Sequence, residues 1–547
     1  MDSLHIERLD ARYHLPPSRL SSRERLDRLL RASLDQALTL ALDRVGIMEH
    51  ETLCLRYLHV PVRINLAESD AAFIHVWSES FAKGIRKLLD ADHGEGVLLY
   101  RSRAQALLDF ATSVARGKLE HAWAWRQMGL ATIGQGDSEA EVVAELVRCL
   151  ANERLYIVPV MRSLARLDYL HRLAVRISGR QWQVLARNAL SAMGVSDRLQ
   201  LDESLIRQLR ESISGRNYTA TPYEVTHSKL SQQLRERSLI AQSMMHHPQA
   251  YADDPIGRFV QAVFVVLEVE PMLLRGDPEE ALRILIGLSR SMPPVAQHHA
   301  RDESLFAHAE ESHDASHEIS TNHEKLHGRG DATDHGIDSV ATNNKAQVDS
   351  RQSGFARRPP AGDVRGKYDV ESSDAAPFDL RSQGRSHFGG LLLLLPLIER
   401  LGIPQQIVRH PALKQRSMRG VLQRLACALI DVDGNDAAVL AFCGLPPDAD
   451  PSWSDETPWT EMETALIAAW RRHIADTLRE LLNRDTASRE KILHEVCRRR
   501  ARIVTDPGWF EIWFSLDDVR TDFRRVGLDL DPGYLPWLGV VMKFFYE

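Results

Sequence analysis

The sequence is short of the features that most often betray a chemistry. Cysteine is scarce, with five in 547 residues at positions 54, 149, 427, 443 and 497, and no CxxC pair. Scattered thiols in odd number argue against a disulfide framework or a zinc ribbon and suit a reducing compartment. No GxxxxGK[ST], GxGxxG or GxSxG string occurs, so phosphate-loop, dinucleotide and nucleophile-elbow chemistries have no signature here. An excess of positive charge is missing too. The 68 basic against 75 acidic residues leave a formal net charge of -7, which gives a polybasic nucleic-acid binder no global support. Long apolar runs are also lacking. The longest, Leu391 to Ile398, contains Pro396 and stops at Glu399, well short of the roughly 20 residues that cross a bilayer, and reads as a buried segment. The opening MDSLHIERLDARYHL is charged and has no apolar core. No signal peptide or membrane insertion is expected from it, and a cytoplasmic location is.

What is present describes a folded chain. Hydrophobic residues make up 44% and charged residues 26%, a balance that excludes disorder throughout. At roughly 100 to 200 residues per domain, about three or four folding units are expected. The clearest internal boundary is a change of composition over 295–387, where apolar residues thin out and eight of the 23 histidines gather between His298 and His335. Such a stretch buries too little surface to offset its ordering entropy, and it reads as a long disordered linker. The expected fold class is a mainly α-helical multi-domain protein with small α+β modules near the N-terminus and at the C-terminus. The expected divisions are an N-terminal helical segment (1–52), a small α+β module (53–101), a helical domain (102–294), the His-rich linker (295–387) and a helical plus β-hairpin domain (388–547).

Periodicity gives the elements. Leu53 to Leu66 is rich in strand formers, with Val60, Val62, Ile64 and Leu66 on one face. After Ser69 and Asp70, the spacing of Phe73, Val76, Trp77, Phe81, Ile85, Leu88 and Leu89 predicts a helix, and Val97 to Tyr100 predicts a second strand. Helices are then expected over Ser102 to Arg116, stopped by Gly117, and over Glu139 to Asn152, Pro159 to Ile177, Gln181 to Met193, Glu203 to Ile213, Tyr223 to Met245, Gly257 to Leu267 and Pro278 to Ser291. Beyond the linker, helices are expected over Leu391 to Leu401, Met418 to Ile430, Asp436 to Cys443 and Thr460 to Leu482. Arg502 to Thr505 and Trp509 to Leu516 form a hairpin signal around Asp506-Pro507-Gly508, and Val540 to Tyr546 reads as a buried last strand.

Few motifs carry chemistry. His323-Glu324-Lys325-Leu326-His327 is an HExxH string, which on a packed helix would set two imidazoles around zinc with the glutamate as general base. It lies among polar residues with nothing apolar to pack against, and weak adventitious metal binding suits such a tract better than catalysis. Arg329-Gly330-Asp331 and the glycosylation-type Asn217-Tyr218-Thr219 are short enough to be chance. Arg498-Arg499-Arg500 reads as the solvated last turn of a helix. More informative is the tryptophan distribution. Trp509 and Trp513 fall on the strand face opposite Phe510 and Phe514, so a sheet built on this strand must be covered twice. The second cover is either the protein's own core or another subunit. The docking reading names Trp509, Trp513, Leu535, Pro536 and Trp537 as interaction residues.

The segment FGGLLLLLPLIERLGI, the helix around Leu425 to Leu429, the turn Ala441-Phe442-Cys443-Gly444-Leu445-Pro446, the hairpin DPGWFEIWFSLDDV and the ending Tyr534-Leu535-Pro536-Trp537-Leu538 together resemble the C-terminal region of the tape-measure proteins of contractile injection systems, bacterial machines related to phage tails. The region around Arg56 to Leu66, the helix after Asp70 and Ala122-Trp123-Ala124-Trp125 are similar to that family in outline, although the usual Pro-Trp-Trp element is replaced. The resemblance implies a non-enzymatic assembly protein with no catalytic, cofactor-binding or metal-ligating residues to assign. It implies tube or baseplate subunits of a contractile particle as partners. Two other expectations stand beside it, a helical adaptor or scaffold unconnected with such particles, and a zinc-dependent hydrolase using His323, Glu324 and His327.

Overall fold

Small capping residues set most helix starts in this chain. The structure, a computed structural model, describes residues 6–20, 22–48, 51–91, 96–134, 136–195, 222–251, 254–292, 380–414, 416–449 and 458–547. The protein is mainly α-helical, with a small sheet near each end. Helices α1 (Ser22–Val45) and α2 (Asp70–Ala91) pack on each other, and Leu26, Ala37, Phe73, Trp77 and Ile85 are buried. β1 (Thr52–Leu55) pairs antiparallel with β2 (Val97–Tyr100). The strand expected over Leu53 to Leu66 is therefore cut short. Pro61 has no N–H for a ladder, and residues 56–66 run outside any strand. Leu58 and Val60 instead lie so close to α2 that a Cβ at Gly84 would meet them at 3.2 and 3.3 Å.

The helical part comprises α3 (Arg103–Arg116), α4 (Ala122–Gln127), α5 (Glu139–Asn152), α6 (Ile157–Arg166), α7 (Leu170–Arg176), α8 (Gly179–Ala192), α9 (Pro222–Arg237), α10 (Leu239–His246), α11 (Pro255–Val269) and α12 (Pro278–Ser291). Ser138 and Ser178 form capping boxes with Glu141 and Gln181, and Asp254 and Asp277 cap α11 and α12 just before a proline. Each cap contributes about 1 kcal/mol. Two helices expected to be continuous are broken. Ser238 leaves the helical region and accepts from the Ala241 N–H, restarting the chain as α10, while Asp168 takes a φ of 58° between α6 and α7. The helix expected over Glu203 to Ile213 lies outside the described residues. Within the core, the Asp109 carboxylate accepts from Tyr100 Oη at 2.6 Å and Trp125 Nε1 at 3.0 Å and lies 2.9 Å from His121 Nδ1. Such multiple partners are what a buried carboxylate requires.

The C-terminal part begins earlier than expected. β3 (Ser382–Ser386) falls in the last residues of the stretch read as linker, and pairs antiparallel with the later strand Ala501–Asp506. A 3₁₀ turn over Gly389–Leu394, where a longer α-helix was expected, leads into α13 (Leu395–Arg400) and α14 (Ile403–Arg409). The chain continues through α15 (Met418–Leu429), α16 (Ala437–Phe442), α17 (Glu461–Leu481) and α18 (Arg489–Cys497), then β4 (Ala501–Asp506), β5 (Trp509–Phe514), α19 (Thr521–Arg525), β6 (Gly533–Leu535) and β7 (Val540–Tyr546). The strand order is β3-β4-β5-β7-β6. Neighbours are antiparallel except β5 and β7, which run parallel. The hairpin turn is Pro507-Gly508, with Gly508 at φ 70° as a proline-led tight turn demands. At the other glycine that matters, Gly390, a Cβ would lie 1.9 Å from the Val496 carbonyl oxygen. Only glycine lets this turn rest on the end of α18.

Residues Met1–Val295 and Asp374–Glu547 form one compact unit, where the sequence suggested separate folded parts. The expected linker lies outside the described residues except for 380–387. Among the described residues no single helix is long and apolar enough to cross a membrane. One pair bent by 68°, Gly389–Arg400 with Ile403–Arg409, passes by length and composition, and its leucines Leu391 to Leu395 are buried in the protein core.

Candidate functional site

Alternation along β5 decides where the tryptophans go. Phe510, Ile512 and Phe514 face one way, together with Met542 and Phe544 of β7, and join the apolar cluster built by α13 to α18. Trp509 and Val541 face the other way and join the cluster of the helical part, with Tyr534 packed beside them. The Tyr534 hydroxyl lies 3.1 Å from the Met193 sulfur, and a Cβ at Gly508 would come within 2.4 Å of Pro159 in α6. The second cover of the sheet is thus the chain's own helical part.

This corrects the docking reading. Trp509 and Trp513 are 9% exposed, Leu535 and Trp537 are 1% exposed, and Pro536 is half-buried, so these five residues do not form an open surface. Trp513 stacks on Phe545 with centroids 4.5 Å apart and carries the Arg502 guanidinium over its ring at 4.8 Å. Lys543 stands 5.1 Å above Trp509. On the same face the half-buried Arg381 bridges Asp506 at 3.0 Å and Glu511 at 2.7 Å. Aromatic planes interleaved with cations cover polar chain ends that apolar packing alone would leave unpaired. Of the three arginines at 498–500, Arg498 and Arg500 are exposed as expected. Arg499 is buried, donating to the Asp518 carbonyl at 2.6 Å and lying over Phe523.

Where the helical and C-terminal parts meet, a cavity of about 830 Å³ remains, lined among others by Arg162, Glu268, Glu270, Arg419, Asp506 and Tyr534. Glu268 sits at the end of α11 and accepts from the backbone N–H groups of Leu239 and Ile240, both at 3.1 Å, at the start of α10. Arg162 lies 3.6 Å from it. Glu270 accepts from the Met418 N–H at 2.9 Å, at the start of α15. Each carboxylate therefore meets the positive end of a helix dipole and an otherwise orphaned donor. Arg419 donates to the Glu268 carbonyl at 3.3 Å. Burial pushes the Glu270 carboxyl up to about 7, against the opposing pull of Arg419 and the Met418 N–H. Burial, then the nearby Arg162 charge, brings Arg419 down to about 10. Glu270 can thus exchange a proton near neutral pH in a walled space, the property that marks candidate binding sites.

Reading the sequence missed this group. The available signal was the pair Glu268 and Glu270 at the end of the apolar run from Phe259 to Leu274, since acids in such a run are buried only with partners. Among the other sequence candidates, His323, Glu324, His327, Arg329-Gly330-Asp331 and Asn217 lie outside the described residues. Comparison with protein-family models, with curated proteins and with solved structures gives no match.

Proposed function

We propose that the protein is a non-enzymatic assembly protein of a bacterial contractile injection system, resembling its tape-measure protein and acting in the cytoplasm through contacts with tube or baseplate subunits. One observation carries this reading. The sequence segments behind the resemblance are far apart along the chain but meet in a single core. Leu391 to Leu395, Phe442, Cys443, Leu445, Phe510, Ile512, Phe514, Leu535, Trp537 and Leu538 all belong to one buried cluster. At Gly444 a Cβ would stand 3.4 Å from Leu538. Segments drawn into one core in this way behave as parts of a single module, which the resemblance requires.

The described helices favour a folded assembly role over a chain-long ruler. A single helix of 547 residues would reach roughly 820 Å, but the longest described helix, α1, has 24 residues, about 36 Å at the same rise. Deleting the gene in a particle-producing strain and imaging the particles tests the reading. Missing particles, or tubes of scattered length restored by complementation, are expected. Normal particles of unchanged length would overturn it, and co-purification with proteins unrelated to tube or baseplate would favour an adaptor instead.

A further inference from the structure

We propose that Asp168, His171 and His247 form a binding site for one divalent transition-metal ion of the zinc type. The three residues come from two places in the chain. Asp168 occupies the turn between α6 and α7, His171 lies in the first turn of α7, and His247 follows the last residue of α10. Their ligand atoms all lie within 4.8 Å of one another. Asp168 Oδ1 is 3.1 Å from His247 Nε2 and 3.4 Å from His171 Nδ1. A tetrahedral zinc ion with bonds of 2.0 to 2.1 Å has ligand atoms about 3.3 Å apart, close to the separation of Asp168 Oδ1 from His171 Nδ1.

One further feature points the same way. His171 Nδ1 is shut off from solvent and makes no well-aligned hydrogen bond, its approach to Asp168 being 3.4 Å, although a buried ring nitrogen ordinarily finds a partner. Asp168 itself sits in the turn with a left-handed φ of 58°. The two rings stack with centroids 3.8 Å apart and planes 21° from parallel. An ion lying in both ring planes therefore requires the partly exposed His247 ring to swing off the stack. Arg172, seated over Tyr169 at 5.5 Å, adds a nearby positive charge that the Asp168 carboxylate offsets. Three protein ligands leave a fourth position for water on the exposed side of Asp168. The ion would clip the α6–α7 turn to the end of α10, joining residues 79 apart in sequence.

The test must separate this site from the histidines between His298 and His335. The full chain is stripped with a chelator and titrated with Co²⁺, following visible absorption. Tetrahedral ligand-field bands that saturate at one equivalent are expected, and the same bands should be lost in His247→Gln and in Asp168→Asn. Zn²⁺ should raise the melting temperature of the wild type more than that of either variant. Because either substitution also removes the contact between Asp168 and His247, each variant's zinc-induced shift is read against its own metal-free melt. Equal spectra and equal zinc-induced shifts in wild type and His247→Gln would overturn the proposal.

Discussion

Glu270 and Met418, 148 residues apart in sequence, are joined by a 2.9 Å hydrogen bond from the Met418 N–H to the Glu270 carboxylate. The end of α11 thereby caps the start of α15, and the helical part is tied to the C-terminal part through a buried acid.

That acid makes stability depend on pH in a stated direction. Its folded value of about 7 lies above the ordinary 4.5, so between those values the folded state binds more protons than the unfolded state. Stability from this group is therefore present at low pH and lost as pH rises from 4.5 through 7. Replacing Glu270 with glutamine removes the titration. Relative to wild type, the variant should gain up to about 3 kcal/mol between pH 4.5 and pH 8, measured by urea unfolding at both pH values. Parallel pH curves would refute this account.

The Gly390 turn offers a steric test. A Cβ there would meet the carbonyl oxygens of Val496 at 1.9 Å and Cys497 at 2.9 Å, neither of which can move without displacing the end of α18. Gly390→Ala should cost about 3 kcal/mol or more. Gly179→Ala, at the first position of α8 with nothing within 4 Å, should be neutral or stabilising by about 0.5 kcal/mol. Thermal melts of the two variants check the contrast.

Trp537 distinguishes core from docking surface. It is fully buried in the C-terminal cluster, and Trp537→Ala should cost about 3 to 5 kcal/mol. Leu516→Ala, at an exposed position, should stay within about 0.5 kcal/mol of wild type. A folded, equally stable Trp537→Ala protein that has lost only partner binding would restore the docking reading.

The His121 and Asp109 pair gives a second pH signature. Burial opposes a charge on His121, but the hydrogen bond and charge of Asp109 outweigh it and hold the imidazole above its usual value. Its contribution is full below the unfolded value of 6.5 and fades as pH rises through the folded value. The stability difference between wild type and His121→Phe should therefore be larger at pH 5.5 than at pH 8, read by chemical denaturation at each pH.

The sequence made much of the local structure legible, because local structure is set by neighbours. Ser102 and Gly117 bracket α3 as expected, the apolar spacing from Phe73 to Ile85 became the buried face of α2, and Val540 to Tyr546 became β7. The turn at Pro507-Gly508 was readable for the same reason. Less legible were the breaks at Asp168 and Ser238, where single residues interrupt patterns that remain helical on both sides. β3 was hidden by its polar sequence, Ser-Gln-Gly-Arg-Ser, which pairs only because β4 presents an edge.

By itself, the sequence determined the helical character, the caps and turns, and that β5 carries aromatic side chains on both faces, since these follow from dihedral preference and periodicity over a few residues. It left open what covers those two faces and which distant charges meet. Only the tertiary structure decided that Trp509 packs into the helical part while Phe510 packs on the C-terminal helices. Only it decided that Glu270 finds Met418 and that Asp168 finds two histidines. Contacts between residues remote in sequence depend on how whole elements are stacked, and no local pattern encodes them.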